Sequence, residues 1–120
     1  MFTNEDVIYA YTRQDAINDG TFIDVSETAK EAGVKIPVAV TGSLYHKHIN
    51  PDPMPAGQDK DGRLLDLMNM LVFHAKGSRD SFLKFNVKFG RSVVEVWAVV
   101  EPQSPADPSP AINIMLPSDY

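Results

Sequence analysis

The clearest periodic pattern in the chain is an apolar stripe near its middle. Apolar side chains recur there every three or four residues, a spacing that places them on one side of a helix. The stripe consists of Leu64, Leu67, Met68, Leu71, Val72 and Ala75. Gly77 follows it, and glycine commonly ends helices. The pattern predicts a core-facing helix over about residues 61–76, with Asp61 as its N-cap.

Directly after this helix, apolar and polar residues alternate as they do in a strand. Every second residue between 83 and 89 is apolar, Gly90 interrupts the pattern, and a second apolar stretch over 93–100 contains the single tryptophan, Trp97. The polar positions of the first stretch are Lys84, Asn86 and Lys88. Side chains of a strand point alternately to its two faces, so we predict a β-hairpin over about residues 80–100 with these polar residues facing outward.

The N-terminal part of the chain is predicted to alternate short helices with short strands. Capping residues and glycines mark the boundaries of these elements. The first is a helix that Thr3 or Asn4 caps and that ends near Asn18, followed by a strand over 21–25 and a helix over 27–32 that Ser26 caps. A strand over 34–41 and a helix over 42–49 that Thr41 caps come next. Pro37 cannot donate to a strand ladder, which favours an edge strand or a strand start there.

Two proline-rich segments, over residues 50–60 and 102–110, are predicted to be loops because proline lacks the backbone N–H that regular structure uses. Residues 111–116 are apolar again and are predicted as a last strand. We therefore expect a single domain over residues 1–120 of the α+β class. It would contain a small antiparallel sheet, made of the hairpin, the C-terminal strand and the N-terminal strands, covered by the 61–76 helix with short N-terminal helices beside it.

The composition of the chain favours one cellular compartment and excludes several kinds of chemistry. A chain of 120 residues with 43% hydrophobic residues suits one domain. It has no cysteine, which excludes disulfides, thiolate metal ligands and a cysteine nucleophile. The first six residues show neither the basic nor the apolar region of a secretory signal. No apolar run approaches the ~20 residues that span a bilayer. A cytoplasmic protein with no membrane contact is expected.

The charge is acidic overall and unevenly distributed. A net charge of −5 argues against nucleic-acid binding over the whole surface. Six carboxylates near the N-terminus form the predicted protein-binding surface: Glu5, Asp6, Asp15, Asp19, Glu27 and Glu31. Through electrostatic attraction they would meet a basic groove of a partner protein. This partner would be a host protein or one encoded beside the chain, and a homodimer stays open.

A basic segment supports a second function class. Lys84, Lys88 and Arg91 lie on or beside the outward face of the predicted hairpin, together with Phe82. A basic strand face with an aromatic side chain resembles the surfaces that hold single-stranded nucleic acid. Three cations and one aromatic residue are few for such a surface, so nucleic-acid binding is the alternative to protein binding.

Candidate reaction chemistry is sparse. His46 and His48 would point apart on a helix, and a metal-dependent hydrolase using them would require nearby aspartates to fold onto them. No nucleophile-elbow or phosphate-loop motif is present. A cluster of Tyr11, Arg13 and Asp24 is interpreted as architectural, with Arg13 paired to Asp19 or Asp24. We therefore favour a binding protein and assign no catalytic residue, metal or cofactor, and a metal-dependent hydrolase using His46 and His48 stays the third alternative.

Several stretches also resemble one family. They are 11–13, 16–17, 19–20, 24–27, 29–33, 37–41 and 61–64 with Asp66. These stretches are similar to an uncharacterised bacterial domain family found on plasmids, phages and integrated mobile elements. The resemblance assigns no chemistry to any residue. It implies a mobile-element accessory protein that binds a host macromolecule, with inhibition of a defence system such as restriction or CRISPR as one form of that role.

Overall fold

The computed structural model describes residues 11–120. These residues form, in order, α1 (Arg13–Asn18), β1 (Phe22–Asp24), α2 (Ser26–Glu31), β2 (Val38–Thr41), α3 (Gly42–Leu44) continued by a π-helical turn (Tyr45–Ile49), α4 (Lys60–Ala75), β3 (Phe82–Phe89), β4 (Ser92–Ser104), β5 (Asp107–Met115) and a 3-10 turn (Pro117–Asp119). The predicted α+β class is confirmed.

The five strands form one sheet in the order β1-β2-β5-β4-β3. The β3–β4 hairpin is antiparallel, as predicted, and so are the β4–β5 and β1–β2 pairs. β2 and β5, however, run parallel, with Val38 opposite Ile112 and Val40 opposite Ile114. The sheet is therefore mixed and not wholly antiparallel. A parallel pair needs a long crossover connection, which the chain provides through α4 and the hairpin.

Helix α4 covers one face of the sheet, as its apolar stripe predicts. Its side chains Leu67, Met68 and Leu71 are fully buried against Val87 and Phe89 of β3, within a single hydrophobic core. We call this side of the sheet the inner face and the opposite side the outer face. The predicted cap Asp61 is wrong. Asp59 caps α4, because its extended backbone lets its side chain accept a hydrogen bond from the N–H of Gly62 at 2.7 Å.

The first described helix begins later than the sequence pattern predicts. Thr12 is extended and caps α1 through a reciprocal capping box with Asp15, so no helix continues through residues 11 and 12. The predicted caps Thr3 and Asn4 lie outside the described residues. Ser26 is also not a cap. It is the first residue of α2, and its hydroxyl donates to Asp24 and accepts from the N–H of Val38.

The predicted loop over 102–110 is wrong, because β4 and β5 continue through it as a two-stranded ribbon with a bulge. The N–H of Val100 donates to Ser81, on the side of β4 away from β5. Alternate residues share this direction, so the nitrogen of Pro102 also points away from β5. The N–H of Ile112 donates to the carbonyl of Pro37, on the β2 side of β5. The nitrogen of Pro110, two residues earlier in β5, has the same direction and therefore points away from β4. These prolines occupy positions where the ladder needs no donor.

Residues 50–59 are irregular, as predicted for the first proline-rich segment. β2 begins directly after Pro37, which agrees with a strand start, although β2 is an interior strand. Thr41 caps α3, as predicted. Within residues 11–120, no helix combines the length and apolarity needed to cross a membrane.

Candidate functional site

The outer face of the sheet carries a cluster of three aromatic side chains at the β3–β4 end. We call Phe82, Trp97 and Tyr120 the aromatic cluster. Their ring centroids lie 5.4 Å apart for Phe82–Trp97, 5.1 Å for Phe82–Tyr120 and 5.3 Å for Trp97–Tyr120, all in edge-to-face arrangements. Tyr120 is 73% exposed, and the other two side chains are half-buried. The cluster therefore offers aromatic surface to solvent.

Lys84 adds a positive charge to the aromatic cluster. It lies directly opposite Trp97 in the hairpin register. Its Nζ is 4.5 Å from the Trp97 ring centroid and 5.6 Å from that of Phe82, within the range of cation–π attraction. The indole N–H of Trp97 donates to Glu95 at 2.6 Å, which fixes the orientation of the ring. The ammonium and the rings thus form one preassembled surface.

Tyr120 joins the cluster because the 3-10 turn before it is fastened to the sheet. Asp119 accepts hydrogen bonds from the hydroxyls of Thr41 at 2.7 Å and Ser43 at 2.6 Å and from the N–H of Leu116 at 3.0 Å. Burial raises the pKa of Asp119, but these hydrogen bonds and the charge of Lys47 outweigh it and hold the pKa below its ordinary value. Asp119 is therefore charged at neutral pH and holds the turn.

Of the residues predicted for nucleic-acid binding, Lys84 lies against this cluster, whereas Lys88 and Arg91 lie toward the hairpin turn. Lys84 and Lys88 are exposed on the outer face of β3, and Arg91 is exposed in the hairpin turn. Sequence reasoning missed that Trp97 shares their face. A two-residue turn at Gly90-Arg91 pairs Phe89 with Ser92, and counting outward from that pair places Trp97 opposite Lys84. This counting was the available signal. Nothing local in the sequence indicates Tyr120.

The described residues among those predicted for protein binding lie on two sides of the sheet. Asp15 and Asp19 belong to α1 and its C-cap, on the outer face. Glu27 and Glu31 lie on α2, which packs with α4 on the inner side, and Glu31 lines a shallow depression with Asp59 and Asp61. Glu5 and Asp6 lie outside the described residues. The acidic protein-binding surface stays a prediction.

The histidines are engaged in packing. His48 stacks on Phe89 with ring centroids 6.2 Å apart, and His46 is exposed with its ring edge-on to Tyr45. Burial, followed by the charges of Lys47 and Arg63, lowers the pKa of His48. Over residues 11–120, no three His, Asp or Glu side chains converge as metal ligands would.

A cleft of about 550 Å³ lies farther along the outer face, between α1 and the β4–β5 ribbon. We call it the Arg13 cleft. Its walls include Tyr11, Arg13, Phe22, Glu101, Pro102 and Pro108. The predicted pairing of Arg13 with Asp19 or Asp24 is wrong: no such ion pair forms, and Arg13 Nε donates to the Oδ1 of Asn113 at 2.8 Å. Asp19 instead accepts from the hydroxyl of Tyr11 and the N–H of Thr21.

The guanidinium of Arg13 is partly buried and only partly satisfied by hydrogen bonds. Asn113 is fully buried, and its amide donates in turn to Glu101, so Arg13, Asn113 and Glu101 form a chain of hydrogen bonds. Burial lowers the pKa of Arg13, and the charges of Asp24 and Glu101 oppose this shift. Among the described residues, the Nη2 atom of Arg13 is buried without a hydrogen-bond partner.

The fold and these features define a small α+β domain in which one face of a five-stranded mixed sheet carries an aromatic cluster, basic side chains and a cleft. The chain belongs to DUF6573, a family of unknown function whose model matches residues 1–120. No curated protein and no solved structure matches the chain.

Proposed function

We propose that the protein binds single-stranded nucleic acid on the outer face of its sheet. The observation that carries this proposal is the aromatic cluster with Lys84 against it. Bases of an unpaired strand stack on aromatic side chains, and each stack contributes about 1–3 kcal/mol. Lysines beside the rings attract the phosphates between the bases. The cluster supplies both kinds of contact on one surface.

The acidic character of the chain shapes the expected binding. Among residues 11–120, Lys84 and Lys88 are exposed on the outer face and Arg91 is exposed beside it, so these three are placed to meet phosphates. Two or three such contacts give a shallow dependence of affinity on salt, with a slope of about −0.7 per phosphate. Stacking therefore supplies most of the binding free energy. Double-stranded DNA should bind more weakly, because its bases are not available for stacking and the net charge of −5 repels its phosphates.

A fluorescence titration tests this proposal. Trp97 is the single tryptophan, so quenching of its emission reports directly on the aromatic cluster. We expect an unlabelled dT12 oligonucleotide to quench Trp97 and a labelled one to gain anisotropy over the same concentration range. Tyr120→Ala should weaken binding about tenfold through loss of one stacking contact. Lys84→Gln should weaken binding and make the salt slope shallower.

Matched controls separate this site from general surface effects. Phe73 on α4 is 72% exposed, almost the same as Tyr120, but lies on the other side of the sheet, so Phe73→Ala should not change the affinity. Lys35→Gln removes one exposed charge far from the cluster and controls for Lys84→Gln. The proposal is wrong if dT12 neither quenches Trp97 nor gains anisotropy at low salt.

We propose as a second function that the acidic residues of α2 bind a basic surface of another protein. This is supported by the position of Glu31 beside Asp59 and Asp61, which extends the negative surface from α2 to the start of α4. In the setting that the family resemblance implies, the partner would be a host protein on which the chain replaces a phosphate backbone. Restriction or CRISPR components are examples of such a partner.

Charge reversal tests this second function. Glu27, Glu31 and Asp61 carry no described cap or buried hydrogen bond, so Glu27→Lys, Glu31→Lys and Asp61→Lys together should leave the fold intact. We expect the triple variant to lose a partner that the parent chain captures from host lysate, while Lys84→Gln retains it. Unchanged capture by the triple variant rules this function out.

A further inference from the structure

The Arg13 cleft holds a donor that lacks an acceptor. Nη2 of Arg13 is buried, while Nε of the same guanidinium is satisfied by Asn113. A buried donor without a partner is destabilising, and a ligand that supplies an acceptor at this point removes that penalty. Arg13 lines the cleft, and because Nη2 has almost no exposed surface, a bound molecule would accept its hydrogen bond after the guanidinium shifts toward the cleft.

The charges around Arg13 favour a neutral ligand over an anion. Asp24 and Glu101 both act electrostatically on the guanidinium, so their negative charges offset part of its attraction for an anion. A phosphate or carboxylate entering the cleft would be repelled by Glu101, which lines it. Glu101 is also an acceptor with lone pairs beyond the one that Asn113 uses. The cleft thus presents one donor beside one strong acceptor.

The walls and position of the cleft suit a flat ring. Phe22, Pro102 and Pro108 give apolar ring surfaces, and a volume of about 550 Å³ lies in the range of small-ligand sites. The cleft shares the outer face with the aromatic cluster. Trp97 and Glu101 lie on the same strand and the same face, four residues or about 13 Å apart. A strand bound at the cluster would reach the cleft within a few nucleotides.

We propose that the Arg13 cleft binds one guanine base of the single strand, an inference that rests on the proposed nucleic-acid function. The O6 of guanine accepts from Nη2 of Arg13, and its N1–H and 2-amino group donate to the carboxylate of Glu101. The other bases offer a carboxylate one donor group on this edge, whereas guanine offers two neighbouring donor groups beside an acceptor. The cleft therefore selects guanine, reading the base edge that is open only in unpaired strands.

Oligonucleotide binding tests the inference. Replacing one central dT of dT12 by dG should tighten binding about tenfold, the value of one added hydrogen bond to a charged group. Replacing it by deoxyinosine, which lacks the 2-amino group, should lose most of this gain. Glu101→Gln should make the dG, inosine and all-dT strands bind with similar affinity. Glu31→Gln, far from the cleft, is its control.

Arg13→Lys provides a second variant. It retains the charge but not Nη2, so it should also abolish the preference for dG, and Arg79→Lys, which alters an exposed arginine, should not. A thermal melt checks that Arg13→Lys is folded, since Arg13 also holds Asn113. Because Glu101→Gln alters only one end of that chain of hydrogen bonds, it keeps the inference testable if Arg13→Lys unfolds.

The outcomes distinguish this inference from the function on which it rests. If dT12 binds and quenches Trp97 but the dG strand binds no tighter, the guanine site is wrong and the proposed function stands. If dT12 does not bind but guanosine shifts the NMR signals of Phe22 and Glu101 in a Glu101-dependent way, the cleft stands and the strand-binding surface is wrong. Binding of dC and dG strands with equal affinity overturns guanine selection.

Discussion

His48 is a partly buried titratable residue that links pH to stability. Its ring stacks on Phe89, and its backbone carbonyl accepts from Nη1 of Arg63 at 2.8 Å. Burial first, and then the charges of Lys47 and Arg63, lower the pKa of His48 below 6.5, its ordinary value. The folded state therefore binds a proton at His48 less readily than the unfolded chain does.

The consequence is a loss of stability in mildly acidic solution. Well above pH 6.5 His48 is neutral in both states, and its effect on the free energy of unfolding is constant. As the pH falls from about 6.5 through the lower folded pKa, the unfolded chain takes up the proton first and stability decreases. Urea unfolding between pH 8 and pH 5 measures this. His48→Phe keeps the stacking and should flatten the pH profile, and an unchanged slope in this variant would contradict the assignment.

For single residues, the sequence correctly predicted which side chains of β3 face the core and which face outward. It did not predict which side chains form hydrogen bonds with each other. The alternation of residues 83–89 correctly separated Lys84 from the core residue Phe85. It could not show that Arg13 bonds Asn113, because the two residues are a hundred positions apart and only the tertiary fold brings them together. An arginine close to Asp19 and Asp24 in sequence favours a local ion pair, but in the fold Asp19 accepts from Tyr11 and Thr21 and Arg13 donates to Asn113.

Among the elements, the C-terminal turn determines the position of Tyr120. Asp119 fastens the turn to Thr41 and Ser43, and its pKa is lower in the folded state than in the unfolded chain. The stability that this carboxylate contributes is present above its ordinary pKa of about 4 and is lost as the pH falls through the folded value. This window lies below that of His48.

We predict that Asp119→Asn lowers the free energy of unfolding by about 1 kcal/mol through weaker hydrogen bonds and weakens dT12 binding because Tyr120 is no longer held against Trp97. Trp97 quenching measures the second effect. Asp107→Asn is the control, since Asp107 also accepts from a serine hydroxyl but lies at the start of β5, next to the ribbon turn. If Asp119→Asn binds dT12 as the parent chain does, the turn does not position Tyr120.

The hairpin turn at Gly90 contacts the loop that precedes α4. Gly90 has a φ of +62°, and a Cβ added there would lie 2.8 Å from Nε2 of Gln58 and 3.1 Å from Nη2 of Arg63. Gly90→Ala therefore combines backbone strain of about 1–2 kcal/mol with displacement of Gln58, which accepts from the buried Arg63. The turn and the loop are thus coupled.

A comparison of two glycines measures this coupling. Gly57 has a φ of +77° but open space around its Cβ position, so Gly57→Ala carries the backbone strain alone. We predict that Gly90→Ala lowers the free energy of unfolding by more than Gly57→Ala does, as measured by urea unfolding. Equal losses for the two variants would show that the contact with Gln58 contributes nothing.

Elements with a strong local signal were predictable, and those that depend on strand neighbours were not. The stripe of α4 and the alternation of β3 are properties of consecutive residues, so the sequence contains them. The ribbon over 102–110 was predicted as a loop because proline usually opposes strands. Its prolines are tolerated because their nitrogens point away from the paired strand, and this depends on a register that only the complete sheet defines.

For the whole molecule, the decisive feature is that β5 lies in the middle of the sheet. It joins the N-terminal pair β1–β2 to the hairpin β3–β4. The sequence indicates a C-terminal strand but not its place in the sheet. The order of the strands is determined only when the apolar faces of all elements are buried together in the fold. β5 also builds both candidate sites, because Asn113 holds Arg13 and the chain after Met115 leads to Tyr120.

This arrangement predicts that the two parts of the sheet unfold together. Ile114 of β5 is fully buried and pairs with Val40 of β2 and Ala98 of β4. Ile114→Ala should lower the free energy of unfolding by about 2–5 kcal/mol, as for other large-to-small changes in cores. The change removes packing at the junction, so both parts should lose stability equally.

Two probes on opposite sides of β5 test this expectation. Trp97 fluorescence reports on the β3–β4 hairpin, and the NMR amide signals of Ile23 and Val40 report on β1–β2. Coincident urea transitions in the parent chain and in Ile114→Ala indicate one cooperative unit. Val93→Ala, at an exposed position of β4, should leave both transitions near those of the parent chain. If Ile114→Ala separates the two transitions, the hairpin folds without β1–β2, and β5 does not unite the sheet.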